Sequence, residues 1–510
     1  ERDREWFQKE KQALSPGAKE KTYIQKFYLY MNLTKPEEFL HISYSKVSSD
    51  GKTLRPAYLV WDLKKLFPKL VVTEEEALLM TQRELTPGEG LEFVIRGVRD
   101  RYLGVDESWK ELYTWYRQNE GQKVDRILDA GFFKKKPDAL TGEEAAELYG
   151  EKKQFSVTRM ERFSACAYAH FLTYGLHLSD RERYEFEAMD LGNIAHQSME
   201  RFARKAQEKR MPWPKLEEVQ RDAMIEESVE ESIKDYGNTV LYSTARNEYM
   251  IVRIKQLIRR SVWALTRQME KGDFEPSGYE MNFGSGKIDR IDTCEDEDMV
   301  YVKVTDYKTG MKSFDIVALY HGLQMQLPVY LNAALELEER RAPGKTVEPA
   351  GIFYYRIKDP IVDREKDDHA LEEKILKELR LDGMINAKEE VIEHLEHQLS
   401  GTSVLNPIGK NKDGSLNRYS KVLPPEAFAA MLSYTKKKEA QVKRQIYAGE
   451  VQANPYELNG STGCDYCAYR DICGFDPRLD GYAYRSLEKY SKEEVIRRME
   501  EEIENREEPS

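Results

Sequence analysis

The chain has 510 residues, 33% of them charged and 40% hydrophobic, and a formal net charge of −12, which fits a globular protein of roughly two to four domains and argues against a simple basic coat for nucleic acid. No stretch approaches the 18 or more apolar residues that span a bilayer, and no leader pattern opens the chain. Glu1 rather than Met stands first, so we read the chain as processed or as a fragment of something longer.

Residues 1 to about 150 mix helical patterns with one strand-like run, Phe39 to Ser45, whose apolar residues alternate before a turn at Ser49 to Lys52. Leu59 to Phe67 predicts a short helix stopped by Pro68. A new block opens at Thr158, where Thr158 and Glu161 have capping-box spacing and Gly175 offers a stop, predicting one helix over 159–174. Helices then dominate to about 271. Period-two alternation over 279–308 predicts adjacent strands, a long helix follows over 315–340, and Ile352 to Ile357 reads as another strand. The segment 363–450 reads as mostly helical, with a loop at Gly409 to Asn417. Ser491 and Glu494 open an exposed, acidic terminal helix. Residues 1–150, 151–480 and 481–510 thus make three segments.

The chemistry concentrates between Gly286 and Gly310. Asp306 and Lys308, two apart in a strand, project the same way about 6.6 Å apart along the backbone. An antiparallel hairpin pairing 286–292 with 300–308 brings Asp289 to the Asp306 end. Two carboxylates suit a hard cation such as Mg²⁺, and a neighbouring ammonium suits orienting or deprotonating a water or stabilising a phosphorane. An Asp–Lys pair alone is more often a surface salt bridge. Three neighbours shift that balance: His196 on an upstream helix, Gln326 and Tyr330 at i, i+4 on a downstream helix, and Gln324 nearby. Glu200, one turn from His196, offers that histidine a plain structural partner.

In this order the series Gly192 to His196, Gly286 to Asp289, Asp306-Tyr307-Lys308 and Gln326 to Tyr330 resembles the RecB-like branch of the PD-(D/E)XK nuclease superfamily. The resemblance implies an α/β fold, a mixed sheet flanked by helices. It implies His196, Asp289 and Asp306 as Mg²⁺ ligands with the Tyr307 carbonyl, Lys308 as the catalytic lysine, and Gln326 and Tyr330 as its support.

Five cysteines occur, too few for a secreted disulfide framework, which favours a reducing cytoplasm. Cys464, Cys467 and Cys473 cluster in a turn-rich stretch; a fourth metal ligand must come from Cys166, on the first helix of the block, or Cys294, read as sitting in the hairpin turn. Spacing leaves zinc and iron–sulfur both open. One cysteine before a RecB-like core and three after it is similar to the AddB family and to the Cas4 and Dna2 nucleases, and the surrounding residues are closest to AddB. That likeness implies a structural [4Fe–4S] cluster on Cys166, Cys464, Cys467 and Cys473.

It also implies that residues 1–150 end an inactive helicase-like region, and that the chain acts as the DNA exonuclease component of a bacterial complex, alongside an AddA-like helicase–nuclease. The complex would process double-strand-break ends for recombinational repair, with this component degrading the 5′-ended strand. The alternatives are a stand-alone Cas4- or Dna2-like exonuclease and a non-catalytic iron–sulfur scaffold. No Gly-rich phosphate loop appears, so the chain shows no evident ATP site. Lys134, Lys135 and Lys136, and the run Lys436, Lys437, Lys438, Lys443 and Arg444, are candidate DNA-facing cations as well as ordinary solvated faces.

Overall fold

The computed structural model describes residues 17–48, 52–73, 86–100, 107–133, 138–150, 155–179, 186–236, 239–284, 286–365 and 367–504. It divides into two compact units, one through Gly131 and one from Phe132 onward. No helix among the described residues is long and apolar enough to cross a membrane. The turn at Ser49 to Gly51 and the lysines 134–136 lie outside the described residues.

The first unit is helical. Helices Pro87–Asp100, Trp109–Asn119 and Gly121–Gly131 close a small core of Val94, Val98, Tyr116 and Val124. The short helix falls at Tyr58–Leu66, its continuation barred by Pro68 one residue past the Phe67 cap. Phe39 to Ser45 is not a strand. Among the described residues it pairs with nothing, and Phe39 is 88% exposed. Alternation alone makes no strand where there is no neighbour to complete a ladder.

The second unit is built on a six-stranded mixed sheet in the order β1-β2-β3-β4-β5-β6. Its strands are β1 Glu275–Phe283, β2 Gly286–Glu295, β3 Met299–Lys308, β4 Thr346–Arg356, β5 Asp382–Asn386 and β6 Val422–Leu423. The first three form an antiparallel meander, and β4 runs parallel to β3 after a helical crossover.

Alternation along β3 sorts the two faces. Tyr301 and Tyr307 point into one core, and Val300, Val302 and Val304 into the other. The first core is closed by residues 188–208, 218–236 and 245–269, all helical, through Phe202, Ile225 and Ile258. The second is closed by α1 Val157–Ala165, α2 Gln326–Arg341, α3 Pro425–Tyr447 and α4 Lys492–Glu504. The helix Gly142–Tyr149 also packs there through Ala145 and Tyr149. α4 packs there through Val495 and Met499, so the terminal helix is exposed on one side only.

Three expectations need correction. The helix predicted over 159–174 starts earlier, with Ser156 Oγ accepting from the Arg159 N–H at 3.3 Å, and breaks at Cys166, which is extended at φ −166°. The long helix over 315–340 is two, Ile316–Tyr320 and α2, parted at Gly322, where φ is +79°. The helical reading of 363–450 missed β5. The strand is short and carries Gly383, a poor strand former, yet Gly383 sits where a Cβ would meet the Ile352 carbonyl oxygen at 1.8 Å. β5 docks on β4 only because that side chain is absent. Gly383→Ala should therefore lower stability by about 1–3 kcal/mol, read as a drop in the denaturant midpoint. An unchanged midpoint would contradict the fit.

Candidate active site and cysteine centre

The antiparallel register pairs Arg290 with Thr305, and one step further sets Asp289 beside Asp306. Asp306 is 2% exposed and Asp289 8%. Asp289 Oδ2 accepts the Tyr307 N–H at 2.7 Å and faces His196 Nδ1 at 3.3 Å. His196 comes from the helix Ala188–Glu208, on the opposite layer from α2. Gly192, one turn before it, lies against Thr309, where an added Cβ would approach Oγ1 to 3.3 Å. Glu200 pairs instead with Arg204, leaving His196 to Asp289.

Lys308 Nζ stands 2.5 Å from Asp306 Oδ2, with its side chain 25% exposed. The Gln326 amide nitrogen donates to Asp306 Oδ1 at 2.7 Å and to the Tyr330 hydroxyl at 3.0 Å, spending both hydrogens. The structure thus brings His196, Asp289, Asp306, Lys308, Gln326 and Tyr330 together at one end of the sheet. Tyr307 joins through its N–H, while its ring packs on the other face against His196 and Tyr355. Gln324 does not join: its amide braces the loop, accepting from Asp315 N and donating to the Ser313 carbonyl.

Two further residues carry almost no signal in the sequence. Glu280, in β1, has its carboxylate within 4.8 Å of the ligand atoms of Asp289 and His196, and its φ is +47°. A non-glycine residue in that region is strained, and such strain gathers at functional sites. Its only sequence signal is an acid between Tyr279 and Met281. Glu161, read as a capping residue of its own helix, instead accepts the N–H groups of Met325 and Gln326 at 2.7 and 3.0 Å. It caps α2 from α1 and so fixes where Gln326 begins.

Burial pushes the Asp306 carboxyl up to about 7, with the Asp289 charge adding to the shift and Lys308 opposing it. Burial likewise raises Glu280, again with help from Asp289. Burial works against a charged His196, but the Asp289 hydrogen bond and the charges of Asp289 and Asp306 outweigh it and raise its pKa. Buried acid oxygens crowded beside an imidazole form a donor set that a divalent cation would stabilise.

The cysteines make a second centre. Cys166, Cys464, Cys467 and Cys473 line one small cavity with Leu172 and Tyr469. The extended backbone at Cys166 that ends α1 turns its thiol there. Gly463 lets the turn approach, since a Cβ would meet the Ala165 carbonyl at 2.9 Å. The Phe475 N–H donates to Cys473 Sγ at 3.4 Å. Cys294 is elsewhere: it lies within β2, 4% exposed, not in the hairpin turn.

Part of the basic run is committed to packing. Lys436 pairs with Glu336 at 3.0 Å, Lys437 donates to the Glu502 carbonyl, and burial lowers the Lys438 pKa.

The chain is also similar to known proteins. The chain is 37% identical over 97% of its length to the B subunit of the ATP-dependent helicase/deoxyribonuclease of Lachnoclostridium phytofermentans, and 32% identical over 94% to that of Alkaliphilus oremlandii. It spans 44% of each of those relatives, less than half. The model of the PD-(D/E)XK nuclease superfamily matches residues 154–474, the whole stretch from α1 to the last cysteine. The matched stretch includes the mixed sheet that carries Asp289, Asp306 and Lys308, and the chain belongs to the PD-(D/E)XK nuclease superfamily.

Proposed function

We propose that this chain is the nuclease-bearing part of an AddB-type subunit. In this reading it hydrolyses DNA phosphodiesters at the end of the sheet, within a cytoplasmic complex whose motor is an AddA-like partner. The observation that carries the reading is the convergence on Asp306: Asp289 beside it in register, Lys308 at 2.5 Å and Gln326 at 2.7 Å. The likeness to the B subunits of helicase/deoxyribonucleases supports the partner, the DNA-end substrate and the role in break processing. Degradation of the 5′-ended strand, and the lack of an ATPase site in this chain, belong to the same proposal.

His196, Asp289, Asp306 and the Tyr307 carbonyl would hold Mg²⁺. When bound, the ion supplies Lewis acidity toward a phosphoryl oxygen and a water acidified for attack. Lys308, partly exposed, would orient an attacking water and balance charge growing on the phosphate. Gln326, held by the Glu161 cap, fixes the Asp306 rotamer, and Tyr330 fixes Gln326. The four thiols of the second cavity would carry a [4Fe–4S] cluster that ties α1 to the 464–473 turn, a structural role.

Three outcomes are expected. Lys308→Ala or Asp306→Ala should cost at least about 10²–10³-fold in Mg²⁺-dependent cleavage of linear DNA by the assembled complex; cleavage at the parental rate would overturn the site.

The second concerns pH. Asp306 has a folded pKa near 7, above its unfolded value, so the metal-free fold binds an extra proton at intermediate pH. Stability should fall as pH rises from about 4 to about 7. Added Mg²⁺ should offset the loss above neutrality. Asp306→Asn should flatten the slope, and a variant with the same pH profile as the parent would count against the assignment.

Third, Cys467→Ser should lose iron, sulfide and visible absorbance together, with a lower Tm. Iron retained in that variant would remove Cys467 from the ligand set.

A further inference from the structure

Away from both centres, a third group of metal-ligating side chains assembles at the other end of β2. Asp273, just before β1, Cys294 in β2 and His394, near the end of the helix Glu389–Leu395, place ligand atoms within 4.8 Å of one another. Asp273 Oδ2 lies 2.8 Å from His394 Nδ1 and 2.7 Å from His397 Nε2. One carboxylate oxygen therefore serves two imidazoles, with a buried thiol alongside.

The backbone holds these segments in place. The Asp273 N–H donates to the His394 carbonyl at 2.9 Å and the His397 N–H to the Lys271 carbonyl at 2.8 Å. Gly272 is pressed so close that a Cβ would meet the His394 carbonyl at 2.4 Å and the Leu395 carbonyl at 2.6 Å. Glu275, Glu295 and Asp296 all act on the Cys294 thiol, so the surroundings attract a cation. Cys294 lies five residues from Asp289, about 16 Å along the strand, so the group is separate from the nuclease centre.

We propose that Asp273, Cys294, His394 and His397 form a structural zinc-class site. One oxygen, one sulfur and two nitrogens make a mixed donor set that suits a borderline divalent ion rather than Mg²⁺. Zinc bonds of about 2.0–2.2 Å to nitrogen and oxygen at tetrahedral angles place such donors about 3.4 Å apart. The Asp273–histidine contacts, at 2.8 and 2.7 Å, open by about 0.6–0.7 Å to admit the ion, a rotamer adjustment at the exposed carboxylate and His397. The site joins the loop entering β1, the C-terminal end of β2 and the 394–397 turn, adding to the hydrogen bonds and the packing of Phe274, Tyr301 and Leu395 that hold them.

The test uses the whole protein as purified, with any partner that accompanies it. Elemental analysis should find one zinc per chain in addition to iron. Cys294→Ser and the His394→Ala, His397→Ala double variant should lose the zinc, leave iron unchanged and lower Tm. Zinc that survives both variants, or that disappears with Cys464→Ser instead, overturns the proposal. If the variants fold poorly, Co²⁺ added to the folded, chelator-treated parent decides. A thiolate-to-cobalt charge-transfer band in the difference spectrum supports the site, and its absence removes it.

Discussion

Asp289 and Asp306 lie on neighbouring antiparallel strands, one register step from the last paired residues, and both are nearly out of contact with water. Two carboxylates so placed repel each other and lose hydration together. The fold meets that cost from three directions: a backbone N–H and His196 on Asp289, the Lys308 ammonium on one Asp306 oxygen, and the Gln326 amide on the other. The donors come from three elements: Tyr307 and Lys308 from β3, His196 from the helix Ala188–Glu208 and Gln326 from α2. The helix layers on both faces of the sheet are therefore held to the strand ends by the same pair of acids.

Much of this arrangement is legible in the sequence. Asp306 and Lys308 share a face because strands alternate, and Asp289 meets them because a short acidic turn fixes the hairpin register. His196 and Gln326 are legible as a series of spacings, and each helix face delivers its residue as that spacing requires. Gln324 lies two residues too early: it falls before α2 begins and serves the loop.

Glu280 and Glu161 are not legible, for physical reasons. Glu280 matters through a positive φ and a register position, neither of which a single strand declares. Glu161 acts on N–H groups 164 and 165 residues away, so local capping logic gives it the wrong partner. β5 escapes because five residues around a glycine carry too little pattern to compete with the charged helices on either side. Cys294 reads as a turn residue because the acidic run after it looks like the turn; the strand in fact extends through Glu295.

α1 has a consequence of its own. Glu161 lies midway along it, and Cys166 is the extended residue that ends it, five positions on. The middle of this strut caps the helix that presents Gln326 to Asp306, and the residue at its end delivers a thiol to the cysteine cavity. The two centres are therefore mechanically in series. Loosening the cysteine cavity would then leave α1 held by the packing of Val157, Met160 and Phe163, and would reach the Asp306 carboxylate through Gln326 without any change in the residues that surround it.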